Sequence, residues 1–148
     1  MTGYLKISNR GEIDVEAFRL IGASTKRGDS TKIGFFGSGL KYAIAVLLRE
    51  GIPFKIFSGK KEVKITVKKT KMRDMSFDVI HVNGKATSLT TDMGPSWEPW
   101  FCVREIFCNA IDEGNHKMTV AGEAVPVEGE TFFYLGIDEK LKKVLDDW

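Results

Sequence analysis

The sequence of 148 residues is 43% hydrophobic and 28% charged, and its formal net charge at pH 7 is +2. This length predicts a single domain spanning residues 1–148, and the composition excludes a disordered or low-complexity chain. The small net charge gives no general argument for binding nucleic acid. No run of about 18 apolar residues predicts a membrane span, and no signal-peptide pattern follows Met1, so we expect a cytoplasmic protein with no membrane partner.

The first half of the sequence predicts a strand followed by two helices. YLKIS predicts a short strand that runs into the turn NRG. Asp14 as N-cap and Gly22 as stop predict a helix over DVEAFRLIG. A glycine-rich stretch follows, and LKYAIAVLLRE then predicts a second helix that ends before Gly51. Apolar residues at helical spacing support this second helix: Leu40, Ile44, Leu47 and Leu48.

The second half predicts mostly strands. PFKIFSG, KEVKITVKK and SFDVIHVNG are rich in β-branched or aromatic residues between turn signals, which predicts a meander to about residue 90. TDMGPSWEP interrupts it and leads into a helix that contains REIFCNAIDEG. KMTVAG and TFFYLGI then predict a hairpin, and DEKLKKVLDDW predicts a short charged helix. The mixture favours an α+β fold, a two-layer sandwich with helices on one face of a mostly antiparallel sheet.

Two local features concern charge and thiols. Between Lys55 and Arg73 there are eight basic residues and one acidic residue, Glu62. Such a hairpin could contact phosphates or an acidic partner, or its lysines could simply protect a solvated edge. Cys102 and Cys108 are six residues apart on a predicted helix and point away from each other, so we interpret both as reduced structural thiols.

The helix in the third quarter of the sequence carries an unusual polar row. Glu105, Asn109 and Asp112 stand at positions i, i+4 and i+7, which share one face of an α-helix. The opposite stripe has the spacing of a buried face: Trp100, Val103, Phe107, Ala110 and Ile111. The polar row either faces water or lines a site.

Glycines precede the helix at Leu40. Gly34, Gly37 and Gly39 permit close backbone approach, and the free N–H groups of a helix start attract anions, so this segment could hold phosphate. The pattern matches neither the P-loop nor the Rossmann fingerprint, and glycine-rich turns before helices are common. Nearby lysines could add positive charge: Lys26, Lys32 and Lys41.

Three stretches together resemble motifs of the GHKL ATPases, the group of gyrase B, the large heat-shock chaperones, histidine kinases, mismatch-repair ATPases and MORC proteins. IGFFGSGLKYAIAVLL resembles their second glycine box, and REIFCNAIDEG resembles their N-box, in which a Glu lies four residues before an Asn. ISNRGEIDVEAFRLIGASTK resembles the first glycine box and the start of the ATP lid. The resemblance covers most of residues 4–51 and 97–114.

The sequence departs from the family pattern in two ways. The N-box follows both glycine boxes, so the resemblance implies a circular permutation of the Bergerat fold. In that case TFFYL should end near the start of YLKIS, and the Asn109 helix should face the Gly37 loop across one pocket. In the first glycine box, Asn9 replaces the Asp that binds the adenine amino group, and the second glycine is missing. The resemblance therefore implies phosphate binding more directly than it implies a preference for adenine.

The resemblance implies roles for individual residues. Asn109 would ligate Mg²⁺ on the triphosphate, Glu105 would be the general base, and Asp112 would support the base or the adenine side of the pocket. Asn9 and Gly11 would face the nucleotide base. The phosphates would lie against the glycine loop and helix start, with Lys26 in the lid: Gly34, Gly37, Ser38, Gly39, Leu40 and Lys41.

The function implied by the resemblance is a Mg-dependent ATP-binding domain that is a slow ATPase and acts through a homodimer or a partner protein. Two alternatives stay open. One is a nucleotide-binding switch or interaction module without turnover. The other is a domain with a vestigial pocket that binds nucleic acid or protein through the basic hairpin, Lys60 to Arg73.

Overall fold

The computed structural model describes residues 3–12, 38–92 and 97–146, and within them the chain has an α+β architecture. The described elements, in chain order, are β1 (Tyr4–Arg10), α1 (Ser38–Glu50), β2 (Phe54–Ser58), β3 (Lys61–Val63), β4 (Ile65–Met72), β5 (Met75–Val82), β6 (Lys85–Thr90), α2 (Pro99–Glu113), β7 (Lys117–Ala121), β8 (Glu130–Gly136) and α3 (Glu139–Asp146). Within these ranges, no helix is long and apolar enough to cross a membrane. The helix predicted from Asp14 to Gly22 lies outside the described residues.

The main sheet has five antiparallel strands in the order β3-β2-β8-β1-β7. β1 is interior and pairs with β8 on one side and β7 on the other. Tyr4 stands opposite Gly136, so the end of β8 lies beside the start of β1. This confirms the prediction that the TFFYL strand ends near the start of the YLKIS strand.

The predicted hairpin between KMTVAG and TFFYLGI is wrong. β7 and β8 are consecutive among the described strands, yet β1 lies between them and pairs with both. A strand from the beginning of the chain can occupy this position because its alternating Leu5 and Ile7 match the buried face of β8. The N-terminal strand therefore completes the centre of the sheet.

One face of the five-stranded sheet packs on the helices. Leu5 and Ile7 of β1 are buried in the same cluster as Val103 and Ile106 of α2 and Ile44 of α1. Since alternate residues of a strand share a face, this arrangement fixes which face of β1 is turned toward the helices. The predicted two-layer packing, with helices against one face of an antiparallel sheet, is confirmed.

The predicted strand KEVKITVKK is in fact two strands in different sheets. β3 ends at Val63 in the five-stranded sheet, and β4 begins at Ile65 in a second sheet of order β4-β5-β6. Lys64 stands between them, where its N–H donates to Asn83 Oδ1 (2.8 Å) and its carbonyl accepts from Asn83 N–H (2.8 Å). The basic segment from Lys60 to Arg73 is therefore not a single hairpin.

The pairing of β5 with β6 shifts register between Val79 and His81. Thr87 Oγ1 donates to Ile80 O (2.8 Å) and accepts from Leu89 N–H (3.0 Å), so one hydroxyl satisfies backbone groups that the ladder leaves unpaired. Ile80 and Leu89 are buried in the common core. The second sheet is thereby anchored at this end.

Helix α2 confirms the predicted helix, but only part of the predicted apolar stripe is buried. It starts at Pro99, whose missing N–H costs nothing in the first turn of a helix. Trp100 and Ile111 of the predicted buried stripe are 39% and 44% exposed. Val103 and Ala110 of that stripe are buried, as predicted, and the other buried residues of the helix are Cys102 and Ile106. The predicted stripe was too wide because aromatic and aliphatic residues also occupy the rim of the buried face.

Helix α1 confirms the second predicted helix but begins at Ser38 instead of Leu40. Gly39 therefore lies inside the first helical turn and not in the loop before it. The backbone N–H groups of that turn have no carbonyl four residues earlier in the helix to bind. Gly51, at φ +73°, follows the last helical residue and fits a glycine C-cap.

Candidate functional site

The C-terminal end of β1 carries a buried polar residue. Asn9 is only 4% exposed and stands two residues after Ile7, so its side chain points toward the helices. Its Nδ2 atom donates to the Arg10 carbonyl oxygen at 2.9 Å. Asn9 is thus a buried polar residue at an inward position of a strand whose preceding inward residues, Leu5 and Ile7, are apolar.

Asn9 belongs to a row of polar residues that crosses three strands. Thr131 of β8 stands directly opposite Asn9, and Ser58 of β2 stands directly opposite Thr131. Residues in such a row share a face, and both are buried, at 2% and 7% exposure. These two residues are absent from the sequence-based site. The signal that could have identified them is one polar residue at an inward position of an otherwise apolar strand.

Thr131 holds the turn that follows β1. Its Oγ1 donates to the carbonyl oxygen of Gly11 at 2.6 Å, and the Gly11 N–H donates to the Gly129 carbonyl at 2.8 Å. Gly11 has φ +93°, a conformation that suits glycine. The turn predicted to face the nucleotide base is therefore fixed from both sides by the neighbouring strand.

The carboxylate of Glu12 closes the same end of the sheet. Its Oε2 accepts from the Gly129 N–H at 2.8 Å, and the carboxylate lies where a side chain at Gly59 would begin; Gly59 has φ +62°. The Gly59 N–H donates to the Glu130 carbonyl at 2.7 Å. The turns that contain Gly11, Gly59 and Gly129 therefore lie together beside the polar row.

The C-terminal end of α2 reaches this region. Gly114 caps the helix at φ +104°, and its carbonyl accepts from the Arg10 N–H at 3.0 Å. Asn9, next to Arg10, therefore lies beside the last turns of α2. The structure thus brings Asn9 and Gly11 close to the helix that carries Glu105, Asn109 and Asp112.

The polar row of α2 is graded in exposure. Glu105 and Asn109 are half-buried, whereas Asp112 is exposed. The described ranges contain no cluster of three or more His, Cys, Asp or Glu side chains suited to a metal ion.

Glu105 is paired with the residue before it. Its Oε2 accepts from Arg104 Nη2 at 3.3 Å, and the Glu105 side chain is 29% exposed. The Arg104 guanidinium lies 4.8 Å from the ring centre of Phe101 and 5.2 Å from that of Trp100. Cation–π contact with two rings holds the arginine in place. The candidate general base therefore has a cation as its immediate neighbour.

Side chains of α1 lie close to the N-terminal half of α2 and to Trp97 just before it. The rings of Tyr42 and Trp97 meet edge to face, 5.4 Å apart. At the other end of α1, the charge of Arg49 acts on the buried Cys102 thiol. Lys41 is half-buried in the second turn. Lys26, Gly34 and Gly37 lie outside the described residues, so the predicted pairing of the glycine loop with Asn109 stays a prediction.

The two cysteines have different environments. Both are free thiols; Cys102 is fully buried and Cys108 is exposed. Burial raises the pKa of the Cys102 thiol to about 12, although the Arg49 charge partly opposes the shift. The structural interpretation therefore holds for Cys102, whereas Cys108 lies at the surface.

A cavity of about 550 Å³ lies away from Asn9, near the beginning of α2. Trp100 and Val144 form apolar walls, and Glu50 and Lys143 stand at its edge. Lys140 Nζ, also at the edge, donates to the Glu50 carbonyl at 2.7 Å. This cavity does not coincide with the site predicted from the sequence.

Comparison with protein-family models, curated proteins and solved structures found no match to this chain.

Proposed function

We propose that this chain is a Mg-dependent adenine-nucleotide-binding domain of the GHKL type and a slow ATPase. The observation that supports it most is the position of Asn9, buried on the helix-facing side of β1 and beside the last turns of α2. The motif resemblance requires the first glycine box and the N-box to be spatial neighbours. The end of β1 and the end of α2 are joined by the bond from the Arg10 N–H to the Gly114 carbonyl, and a circularly permuted GHKL domain would need these two segments to be neighbours.

The base end of the proposed pocket would be the polar row. Asn9 Oδ1 would accept a hydrogen bond from the exocyclic amino group of adenine, and Thr131 would keep the Gly11 turn in position. A site whose buried polar atoms pair with one nucleotide base discriminates strongly against another base that would leave those atoms unpaired. An amide can also rotate to present its N–H₂ group, so guanine is the necessary comparison.

The phosphate end would be formed by helix termini and α2. Mg²⁺ in nucleotide sites keeps several waters and shares phosphate oxygens, so the single amide oxygen of Asn109 is a suitable protein ligand. When bound, the ion would neutralise charge that develops on the phosphates. Glu105 would accept a proton from the attacking water. Ser38 and Gly39 would offer backbone N–H groups to the phosphates.

Thermal unfolding with ATP, ADP, GTP and a non-hydrolysable ATP analogue, each with and without Mg²⁺, tests the proposal. A ligand that binds only the folded state raises the midpoint. We expect a Mg-dependent rise with ATP that exceeds the rise with GTP. The rise should be smaller for Asn9→Ala and unchanged for Thr119→Ala, an exposed residue of β7. No rise with any adenine nucleotide at millimolar concentration would contradict the proposal.

A nucleotide-binding switch without turnover is the second candidate, because of the pairing between Glu105 and Arg104. A carboxylate oxygen that already accepts from a guanidinium is less available to hold an attacking water. Phosphate release separates the two candidates. A wild-type protein that binds ATP and releases no phosphate above background would be a switch.

A further inference from the structure

Part of the second sheet projects beyond its third strand. β4 and β5 pair at eight positions, from Ile65 opposite Val82 to Met72 opposite Met75. β6 pairs with β5 only between Val79 and Val82. Within the described residues, the four outer pairs, starting at Lys69 and Asp78, therefore form a two-stranded ribbon. Its first pair is still joined to the segment after β6, because the Thr91 N–H donates to the Asp78 carbonyl at 3.1 Å. At about 3.3 Å per residue, the ribbon extends roughly 10 Å beyond that bond.

The ribbon and the strand leading into it are basic. Five exposed cationic residues lie along β4 and the tip: Lys64, Lys68, Lys69, Lys71 and Arg73. The acidic residues of the ribbon are Asp74 and Asp78, and Asp78 forms a surface ion pair with Lys69 at 3.2 Å. Exposed pairs of this kind are weak, so Lys69 can exchange its partner. The ribbon therefore carries a net positive charge.

The turn at the tip of the ribbon contains an arginine with a positive φ, which is uncommon for this residue type. Arg73 adopts φ +57° at the connection between β4 and β5. The other tight turn of the same sheet uses Asn83 and Gly84, the residues that suit positive φ. An arginine in the left-handed region costs conformational energy and is commonly associated with a functional constraint. The strained position presents a guanidinium at the most distant point of the ribbon.

Edge protection alone explains the lysines of β4 but not this combination. In the described sheet β4 is an edge strand, and lysines on an edge discourage pairing with other chains. That role does not require a projecting ribbon or a strained arginine at its end. Among the ribbon side chains whose burial the structure describes, Met75 is the exposed large apolar one, and Val67 is exposed at the base; this small apolar area favours a polyanion over a membrane surface.

We propose that the β4–β5 ribbon enters the major groove of duplex DNA, with Lys71 and Arg73 on the phosphates at its rim. The major groove of B-DNA is about 12 Å wide and admits a two-stranded β-ribbon. The major groove of an RNA duplex is deep and narrow, so the ribbon does not fit there. Contacts to phosphates give affinity without sequence preference. This inference does not depend on the nucleotide site.

Fluorescence anisotropy tests this with a labelled DNA duplex of roughly 20 base pairs, about two helical turns. The test variant is Lys71→Gln with Arg73→Gln, which removes two positive charges and keeps a polar, non-glycine side chain at both positions. The matched control, Lys142→Gln with Lys143→Gln on α3, removes the same charge elsewhere. We expect wild type and control to bind at low salt. The test variant should lose roughly tenfold in affinity, and its salt slope should fall by about 2.

Several results would overturn the proposal. One is that wild type does not bind DNA at low salt, and another is that both double variants weaken binding equally. A third is that wild type binds an RNA duplex of the same sequence as tightly as the DNA duplex. Displacement of DNA by poly-glutamate at equal charge would indicate an acidic protein partner instead. Lys71→Gln alone should give an intermediate affinity. An unchanged thermal midpoint would show that the variants are folded.

Discussion

Thr131 and Gly11 are joined by a 2.6 Å hydrogen bond from Oγ1 to the backbone carbonyl, although 120 residues separate them in the sequence. Thr131 also stands directly opposite Asn9. One buried hydroxyl thus supports the turn immediately after the amide that we propose reads the nucleotide base. The stability of the turn and the affinity for nucleotide should therefore be linked through this residue.

Thr131→Val tests the link because valine keeps the shape and removes the hydroxyl. The Gly11 carbonyl loses a buried donor, which should lower the free energy of unfolding by about 1–3 kcal/mol. Nucleotide affinity should also fall because the Asn9 turn loosens. Urea unfolding and equilibrium binding measure the two effects. Thr119→Val, at an exposed position, should change neither, and an unaltered affinity in Thr131→Val would remove this residue from the site.

Glu105→Gln and Asn109→Ala should have different effects on turnover and binding. The glutamine keeps the size of the side chain, so affinity should persist while turnover falls roughly 10²–10⁴-fold, the usual worth of a positioned base. The alanine removes the metal ligand, so affinity for Mg–ATP and the rate should fall together. Phosphate release is measured beside equilibrium binding, with Glu123→Gln as a surface control. If Glu105→Gln released phosphate as fast as wild type, Glu105 would not be the base.

Gly59→Ala should be more destabilising than Gly84→Ala. Both glycines have positive φ, so both substitutions carry the backbone cost of roughly 1–2 kcal/mol. At Gly84 an added Cβ meets open space, whereas at Gly59 it lies 2.7 Å from Glu12 Cδ. Moving that carboxylate would break its bond to the Gly129 N–H, at a further cost of about 1 kcal/mol.

Chemical denaturation of both glycine variants measures this difference. Adding Glu12→Ala to Gly59→Ala should remove the clash, so the two substitutions together should cost less than the sum of their separate effects. Strict additivity would show that the Glu12 carboxylate does not respond to the added methyl group.

The two thiols should react at very different rates in the folded protein. Cys108 is exposed, while Cys102 is buried and has a pKa of about 12. Since the thiolate is the reactive form, a thiol reagent near neutral pH should label one cysteine quickly and the second only on unfolding. Cys108→Ser should abolish the fast phase. A fast phase that survives this change would mean that Cys102 is accessible.

The raised pKa of Cys102 also predicts a stability change at alkaline pH. Folding keeps the thiol protonated, so its contribution is fully present below the pKa of the thiol in the unfolded chain, about 9. As pH rises from there toward about 12, the unfolded state loses its proton first and the contribution is lost. The free energy of unfolding should decline by up to about 1.4 kcal/mol per pH unit from this group. Denaturation of Cys102→Ala across the same range should lack this part of the slope.

Much of the local structure follows from the sequence by itself. Helical spacing from Leu40 to Leu48 and alternation in YLKIS identify α1 and β1, since each pattern depends only on the geometry of one element. The α+β class follows from the mixture of such elements. The polar row of Glu105, Asn109 and Asp112 is also visible from the spacing, as is the basic segment.

Only the tertiary structure decided how these elements associate. The expected β7–β8 hairpin did not form because β1 pairs with both strands, and nothing within KMTVAG or TFFYLGI encodes that third strand. The rotation of α2 likewise depended on which residues meet the sheet, and burial chose Cys102 and Ile106 over Trp100. Thr131 joins Asn9 only through strand register. A local pattern states which side of an element is apolar, whereas the partner of that side is selected by burial and hydrogen-bond pairing over the whole chain.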